Sequence, residues 1–131
     1  MLPVKPKKSL GQHFLNDQNI ARKIASSLQF ANENALVFEI GPGSGFMTQF
    51  LVDQSFRLLV IETDRESVEY LHQRFPQLNE NIIYRDVLKA RFSEYSEKPI
   101  SVIGNMPYNI SGPLLFMALD QREMLNEWIG M

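Results

Sequence analysis

Short apolar runs that alternate with helical patterns constrain the fold of this chain more than any other feature. Four such runs predict strands, and they lie at 35–40, 57–62, 81–86 and 99–105. Because the runs are apolar with little alternation, they are typical of strands buried on both faces of a parallel sheet. The spacing of apolar residues between and around them predicts helices at 17–28, 44–54, 64–75 and 111–121. A further run at 127–131 predicts the beginning of a fifth strand.

This alternation predicts an α/β fold with a doubly wound, mostly parallel sheet. A chain of 131 residues has the length of one domain. In such sheets a ligand binds outside the carboxyl ends of the strands. Residues that carry chemistry are therefore expected just after each predicted strand.

Composition excludes several classes of site. The chain has no cysteine, so disulfides and thiolate zinc sites are excluded, and the composition fits a reducing compartment. No apolar run reaches the length of about 18 residues that a membrane-spanning helix requires. The beginning of the chain, "MLPVKPKKSLG", lacks the apolar stretch of a secretory signal.

Positive charge is concentrated at the beginning of the chain. Residues 1–23 hold five Lys or Arg residues against one Asp, a net charge of +4, so the remainder carries −6 of the total of −2. Prolines 3 and 6 oppose a helix there, so residues 1–16 are predicted to form an extended basic arm before a domain at 17–131. From charge alone, a solvated tail is the preferred interpretation of this arm, and a polyanionic partner is the alternative. Its candidate contact residues are Lys5, Lys7 and Lys8.

A glycine-rich motif, "EIGPGSG", follows the first predicted strand. Gly41, Gly43 and Gly45 permit a tight turn and let a ligand approach the backbone. The motif is not the dinucleotide fingerprint, because Phe46 stands where a third glycine would be required. The spacing G-x-G-x-G after an acidic residue, Glu39, is typical of S-adenosylmethionine sites. The alternative is a glycine-rich turn without a ligand.

Carboxylates follow the second and third predicted strands. Glu62 is positioned to accept hydrogen bonds from ribose hydroxyls, and Asp86 to accept one from the exocyclic amine of an adenine. Taken separately, Glu62 could be an acid that favours a helix N-terminus, and Asp86 a solvated loop acid. Together with the glycine loop, the two residues match the two ends of an adenosine.

The motif "NMPY" follows the fourth predicted strand. An exocyclic amine on a base is a poor nucleophile, and acceptors aimed at its N–H bonds favour the pyramidal nitrogen of a methyl-transfer transition state. The side-chain oxygen of Asn105 and the carbonyl of Met106 or Pro107 are candidates for these acceptors. Pro107 restricts the backbone, and Tyr108 can stack on an extruded base. The alternative is an Asn-Pro turn with a packing tyrosine.

The sequence predicts no metal site and no nucleophile triad. His13 and His72 are far apart, and His72 is expected on the packed face of the helix at 64–75, together with Val68, Leu71 and Phe75. A sulfonium methyl donor is already activated, so the chemistry needs neither a metal nor a strong base.

Five segments, in order, resemble the ribosomal RNA adenine N6,N6-dimethyltransferases: "KKSLGQHFLND", "FEIGPGSG", "VIETD", "YRDVLK" and "IGNMPYNISGPLLF". The resemblance extends from Lys7 to Met131. It implies a Rossmann-like, class I S-adenosylmethionine-dependent methyltransferase. It also implies dimethylation of the N6 amino groups of two adjacent adenines near the 3′ end of small-subunit (16S) rRNA, during ribosome biogenesis. The implied partner is the immature 30S subunit in the cytoplasm, with the full-length protein acting as a monomer.

The resemblance also implies roles for individual residues. His13 and Leu15 of the arm would contact the cofactor, and Gly41, with Gly43 in the same loop, would lie behind its methionine part. Asn105 would serve both the amino-acid end of the cofactor and the target amine. The resemblance assigns the remaining roles as the motifs do, to Glu62 for the ribose, Asp86 for the adenine, and Pro107 and Tyr108 for the target pocket. Met106 stands where the family more often has leucine.

The family's chains are considerably longer than this one. We therefore expect a chain truncated within the fifth strand, without the family's C-terminal helical RNA-binding domain, that represents the cofactor-binding part and has little or no activity alone. Two alternatives stay open. One is a DNA adenine N6-methyltransferase, against which the "GQHFL" segment argues, and the other is a non-catalytic RNA-binding or ribosome-assembly factor on the same fold.

Overall fold

A computed structural model describes residues 17–106 and 110–130 of the chain. Within these ranges the α-helices are α1 (Gln18–Ala25), α2 (Arg65–Arg74) and α3 (Ser111–Asp120). The strands are β1 (Leu36–Ile40), β2 (Arg57–Glu62), β3 (Ile82–Tyr84), β4 (Ile100–Gly104) and β5 (Leu125–Gly130). The predicted basic arm lies outside the described residues, and the division into arm and domain stays a prediction.

All five strands form one parallel sheet with the order β3-β2-β1-β4-β5. β2 and β3 are added on one side of β1, and the chain then crosses over to add β4 and β5 on the other side. The segments that connect the strands cover both faces of the sheet. Along β1, Val37 packs into the core on one face, and Phe38 and Ile40 pack into the core on the other. The prediction of a doubly wound parallel α/β fold is confirmed.

The helix predicted at 44–54 is wrong in extent. Residues 43–47 form turns, and only Thr48–Phe50 is helical, as one 3₁₀ turn. Gly45, inside the predicted helix, has a φ angle of 84°, which a right-handed helix cannot contain, and Gly43 just before it has a φ angle of 57°. Several residues that follow Gly45 are aromatic or β-branched, and such residues are weak helix formers. Their intrinsic preference therefore does not favour an α-helix after the glycine turn.

Two smaller expectations also need correction. The first helix ends at Ala25 and not at residue 28, because the hydroxyls of Ser26 and Ser27 donate to the carbonyl of Lys23 at 3.0 and 2.8 Å and compete with helix continuation. His72 is exposed, whereas its helix neighbours Leu71 and Phe75 are buried. The packed face of α2 is therefore narrower than the sequence pattern predicted.

Glu127 in β5 connects the last described strand to the loop after α1. Its Oε1 accepts a hydrogen bond from the backbone N–H of Gln29 at 2.9 Å. Its Oε2 accepts from the N–H of Phe30 at 2.8 Å and from the hydroxyl of Ser101 in β4 at 2.7 Å. One carboxylate thus fastens a peripheral loop to the edge of the sheet.

None of the helices within the described ranges is both long and apolar enough to span a membrane.

Candidate functional site

The carboxyl ends of β2, β1 and β4 lie side by side. Ile40 at the end of β1 is paired with Ile61 in β2 on one side and with Gly104 in β4 on the other. The residues that follow these three in the chain are Glu62, Gly41 and Asn105. The structure therefore brings three of the predicted site residues to one edge of the sheet, as the strand pattern required.

The glycine loop turns sharply at this edge. Gly41, Gly43 and Gly45 have φ angles of 63°, 57° and 84°, a region in which residues with a Cβ are rarely found. The N–H of Gly41 donates to the carbonyl of Ile61 at 3.0 Å, so the loop begins in register with β2. Gly41 is partly buried, and Gly43 and Gly45 are buried.

Glu62 is held by backbone donors at the end of β2. Its Oε1 accepts from the N–H of Gly43 at 3.0 Å, and its Oε2 accepts from the N–H groups of Thr63 and Asp64, both at 2.8 Å. Burial raises the pKa of this carboxyl, and the three backbone hydrogen bonds oppose that rise. A carboxylate has about four acceptor positions, so Oε1 keeps one for a ligand hydroxyl.

Below the glycine loop lies a second acid, whose environment the sequence analysis did not recognise. Glu39 in β1 is 1% exposed, and the hydroxyl of Thr48 donates to its Oε1 at 2.6 Å. Burial raises the pKa of Glu39 to about 8, with a further contribution from the charge of Glu62, whereas the Thr48 hydrogen bond lowers it. The signal in the sequence is a single acid, Glu39, within an otherwise apolar strand, and it could have drawn attention to the contact between Glu39 and Thr48.

Asp86 lies two residues beyond the end of β3, the strand next to β2. Its Oδ1 accepts a hydrogen bond from the N–H of Leu88 at 3.0 Å, which caps the short 3₁₀-helix Val87–Lys89. The side chain is partly buried. Asp86 therefore has a structural task at the same edge of the sheet, and this task leaves acceptor positions on its carboxylate for a ligand.

The fourth strand places Asn105 directly beside β1. A Cβ at Gly104 would lie 2.3 Å from the carbonyl oxygen of Ile40, so only glycine allows β4 to approach this closely. Asn105 is partly buried, and its Oδ1 is shielded from solvent. Met106 is buried in the core.

Several predicted site residues lie outside the described ranges, and their roles stay predictions. They are His13 and Leu15, the lysines Lys5, Lys7 and Lys8, and the pair Pro107 and Tyr108. Across the two described ranges, no group of three or more His, Cys, Asp or Glu residues could hold a metal ion.

The sequence profile described as "Ribosomal RNA adenine dimethylase" matches residues 4–129 of the chain. This chain belongs to the ribosomal RNA adenine dimethylase family. The match covers nearly the whole chain, and it confirms the resemblance found in the sequence motifs.

Curated relatives in the dimethylase family are close in sequence. The chain is 47% identical to Ribosomal RNA small subunit methyltransferase A of Cytophaga hutchinsonii, over 100% of this chain and 51% of that protein. It is 46% identical to the protein of the same name from Flavobacterium johnsoniae, over 100% of this chain and 50% of that protein. The chain therefore spans about half the length of the curated relatives it matches.

Solved structures confirm the fold of the dimethylase family. The 23S rRNA methyltransferase ErmE matches with a TM-score of 0.70 and 25% identity, over 85% of this chain and 44% of that one. A dimethyladenosine transferase from Plasmodium falciparum matches with a TM-score of 0.69 and 24% identity, over 86% of this chain and 40% of that one. The sheet is thus that of a class I methyltransferase, as predicted.

Proposed function

We propose that this chain is the cofactor-binding part of an S-adenosylmethionine-dependent rRNA adenine N6-dimethyltransferase that acts on small-subunit rRNA during ribosome biogenesis. The observation that carries the proposal is identity of 46–47% along the whole chain to proteins named Ribosomal RNA small subunit methyltransferase A. The site geometry agrees with it, because the glycine loop, Glu62, Asp86 and Asn105 share one edge of the sheet.

The donors and acceptors at this edge fit a nucleoside cofactor. The remaining acceptor position on Glu62 Oε1 suits a ribose hydroxyl, and Asp86 suits the amine of an adenine. Gly41 and Gly43 would lie behind the methionine part, with His13 and Leu15 contacting the cofactor from the arm. When bound, S-adenosylmethionine supplies a methyl group already activated by its sulfonium.

Asn105 is the residue to which we assign the target amine. Its side-chain oxygen and the carbonyl of Met106 or Pro107 would accept the two N–H bonds of the adenine amine. These hydrogen bonds are strongest when the nitrogen becomes pyramidal in the transition state. Interactions that stabilise the transition state more than the bound substrate raise the rate of methyl transfer. Tyr108 would stack on the extruded base, and stacking of this kind contributes about 1–3 kcal/mol in nucleic-acid sites.

The proposed partner of the complete protein is the immature 30S subunit, with the complete protein acting as a monomer in the cytoplasm. Lys5, Lys7 and Lys8 would contact rRNA phosphates. The concentration of positive charge in residues 1–23 of an otherwise acidic chain supports this contact. The absence of cysteine is consistent with a reducing compartment.

The proposal has two tests. In the first, the chain is titrated calorimetrically with S-adenosylmethionine, and Asp86→Ala is expected to bind it more weakly than the wild type does. In the second, a longer protein that contains this chain is assayed for methyl transfer to immature 30S subunits and to duplex DNA. Methylation of DNA alone would support a DNA adenine methyltransferase instead. Binding to 30S subunits without methyl transfer would support an assembly factor.

A further inference from the structure

The end of α2 supports the glycine loop through Arg74. The Nη1 of Arg74 donates a hydrogen bond to the backbone carbonyl of Ser44 at 2.8 Å. Its Nη2 donates to Oε1 of Gln49 at 3.3 Å, just beyond the loop. Arg74 is 30 residues from Ser44 in sequence, so this is a tertiary contact of the folded chain.

The peptide group that joins Ser44 to Gly45 is held at both ends. The carbonyl of this peptide group, on Ser44, accepts a hydrogen bond from Arg74. The N–H of the same peptide group, on Gly45, donates to the carbonyl of Pro42 at 2.8 Å. Two peptide groups earlier, the N–H of Gly43 donates to Oε1 of Glu62. Two peptide groups of the loop, 42–43 and 44–45, are therefore held from two sides, by β2 and by α2.

Packing at the end of α2 sets how closely the loop can approach. A Cβ on Gly45 would lie 2.4 Å from Cε2 of Phe75 and 3.1 Å from Cδ2 of Leu71. The guanidinium of Arg74 lies over the Phe75 ring, 4.9 Å from its centroid. This contact restricts the guanidinium, and a preorganised guanidinium loses less entropy for each hydrogen bond that it makes.

We propose that Arg74 is a positioning residue that fixes the glycine loop for the methionine part of the cofactor. The inference rests on the proposed function, because it assigns Arg74 to the same cofactor site. A hydrogen bond from a charged donor is stronger than a neutral one, and preorganising a loop lowers the cost of binding. Arg74 acts on the ligand only through the loop backbone.

The test uses one matched pair of variants and two ligands. Arg74→Met removes the support, and Arg65→Met removes the same charge from an exposed position on the same helix, where the side chain contacts only Glu69 among the described ion pairs. S-adenosylhomocysteine contains the amino-acid part of the cofactor, whereas 5′-methylthioadenosine is a similar nucleoside without it. Affinities of both ligands are measured calorimetrically for the wild type, both variants and Arg74→Lys.

We expect Arg74→Met to weaken S-adenosylhomocysteine binding about tenfold, which corresponds to about 1.4 kcal/mol. Arg65→Met should match the wild type, and Arg74→Lys should recover part of the loss, because one ammonium can still reach the Ser44 carbonyl. Binding of 5′-methylthioadenosine should be unchanged in all variants. Equal losses for both ligands, or no loss for either, would overturn the assignment of Arg74 to the loop.

Amide hydrogen exchange separates this inference from the proposed function. If the wild-type chain binds neither ligand, the proposed function fails, but the loop can still be examined in the unliganded protein. Faster exchange of the Gly43 and Gly45 amides in Arg74→Met than in Arg65→Met would support the positioning role. Identical exchange in the two variants would contradict it.

Discussion

The backbone N–H of Gly43 and Oε1 of Glu62 are joined by a hydrogen bond of 3.0 Å that links the glycine loop to the end of β2. Because Oε2 of Glu62 already accepts two backbone N–H groups, Oε1 is the oxygen that can receive a ligand. In the proposed cofactor site, one ribose hydroxyl would take the remaining acceptor position of this oxygen.

Replacing Glu62 with glutamine should weaken both folding and cofactor binding. The amide nitrogen cannot accept a hydrogen bond, so at least one of the three backbone donors would lose its partner, at a cost of about 1–3 kcal/mol. Calorimetry with S-adenosylmethionine and urea unfolding would measure the two effects. Glu69→Gln makes the same change at a side chain that is 64% exposed and should have little effect on either. Unaltered cofactor affinity in Glu62→Gln would contradict the ribose assignment.

Glu39 should make the chain less stable as the pH rises. Its pKa is about 8 in the folded chain and near 4.5 when unperturbed, so between these values the folded state holds a proton that the unfolded state releases. The free energy of unfolding therefore falls across this window, on the order of 1.4 kcal/mol for each unit of the pKa difference.

Glu39→Gln tests this pH dependence, because glutamine keeps an oxygen for Thr48 but cannot ionise. Its free energy of unfolding, measured in urea from about pH 5 to about pH 9, should fall less than that of the wild type. Above pH 8 the variant should be the more stable protein. Parallel profiles for the two proteins would show that Glu39 does not titrate abnormally.

Gly104→Ala should separate the ends of β1 and β4. The new Cβ would lie 2.3 Å from the Ile40 carbonyl oxygen, a backbone atom that cannot turn away. The expected loss is about 1–3 kcal/mol in the free energy of unfolding, together with a displaced Asn105. Gly112→Ala is the control, because a Cβ there meets nothing within 4 Å. Equal stability of the two variants would refute this account of the close approach.

Asn105→Ala should abolish methyl transfer in a longer protein that contains this chain, because the target amine loses an acceptor that acts in the transition state. Incorporation of labelled methyl groups into immature 30S subunits is the readout, with circular dichroism to check the fold. Asn126→Ala makes the same change at an exposed position in β5 and should retain activity. Activity near that of the wild type in Asn105→Ala would remove this residue from the mechanism.

The strands were predictable because their signal is local. Each apolar run in β1, β2 and β4 is by itself hydrophobic enough to predict a buried strand. The parallel order of these strands then places Glu62 and Asn105 at one edge of the sheet. The segment at 44–54 was mispredicted because its apolar spacing looks helical, whereas Gly43 and Gly45 adopt φ angles that only the folded turn reveals.

The supports of the site were not predictable in the same way. The contact of Arg74 with Ser44 joins residues 30 apart, and no pattern around Arg74 distinguishes it from a solvated arginine near a helix end. The raised pKa of Glu39 likewise depends on the burial that the whole sheet produces. Sequence patterns therefore predict candidate ligand-binding residues more readily than the residues that hold those candidates in place.

Glu127 accepts hydrogen bonds from the backbone N–H groups of Gln29 and Phe30, and these bonds affect how the chain folds during its synthesis. Glu127 is 98 residues from Gln29 and 97 residues from Phe30 in sequence. During synthesis, the loop after α1 therefore lacks these two hydrogen bonds until β5 has emerged from the exit tunnel. The two bonds therefore belong to the stage of folding that follows the synthesis of β5.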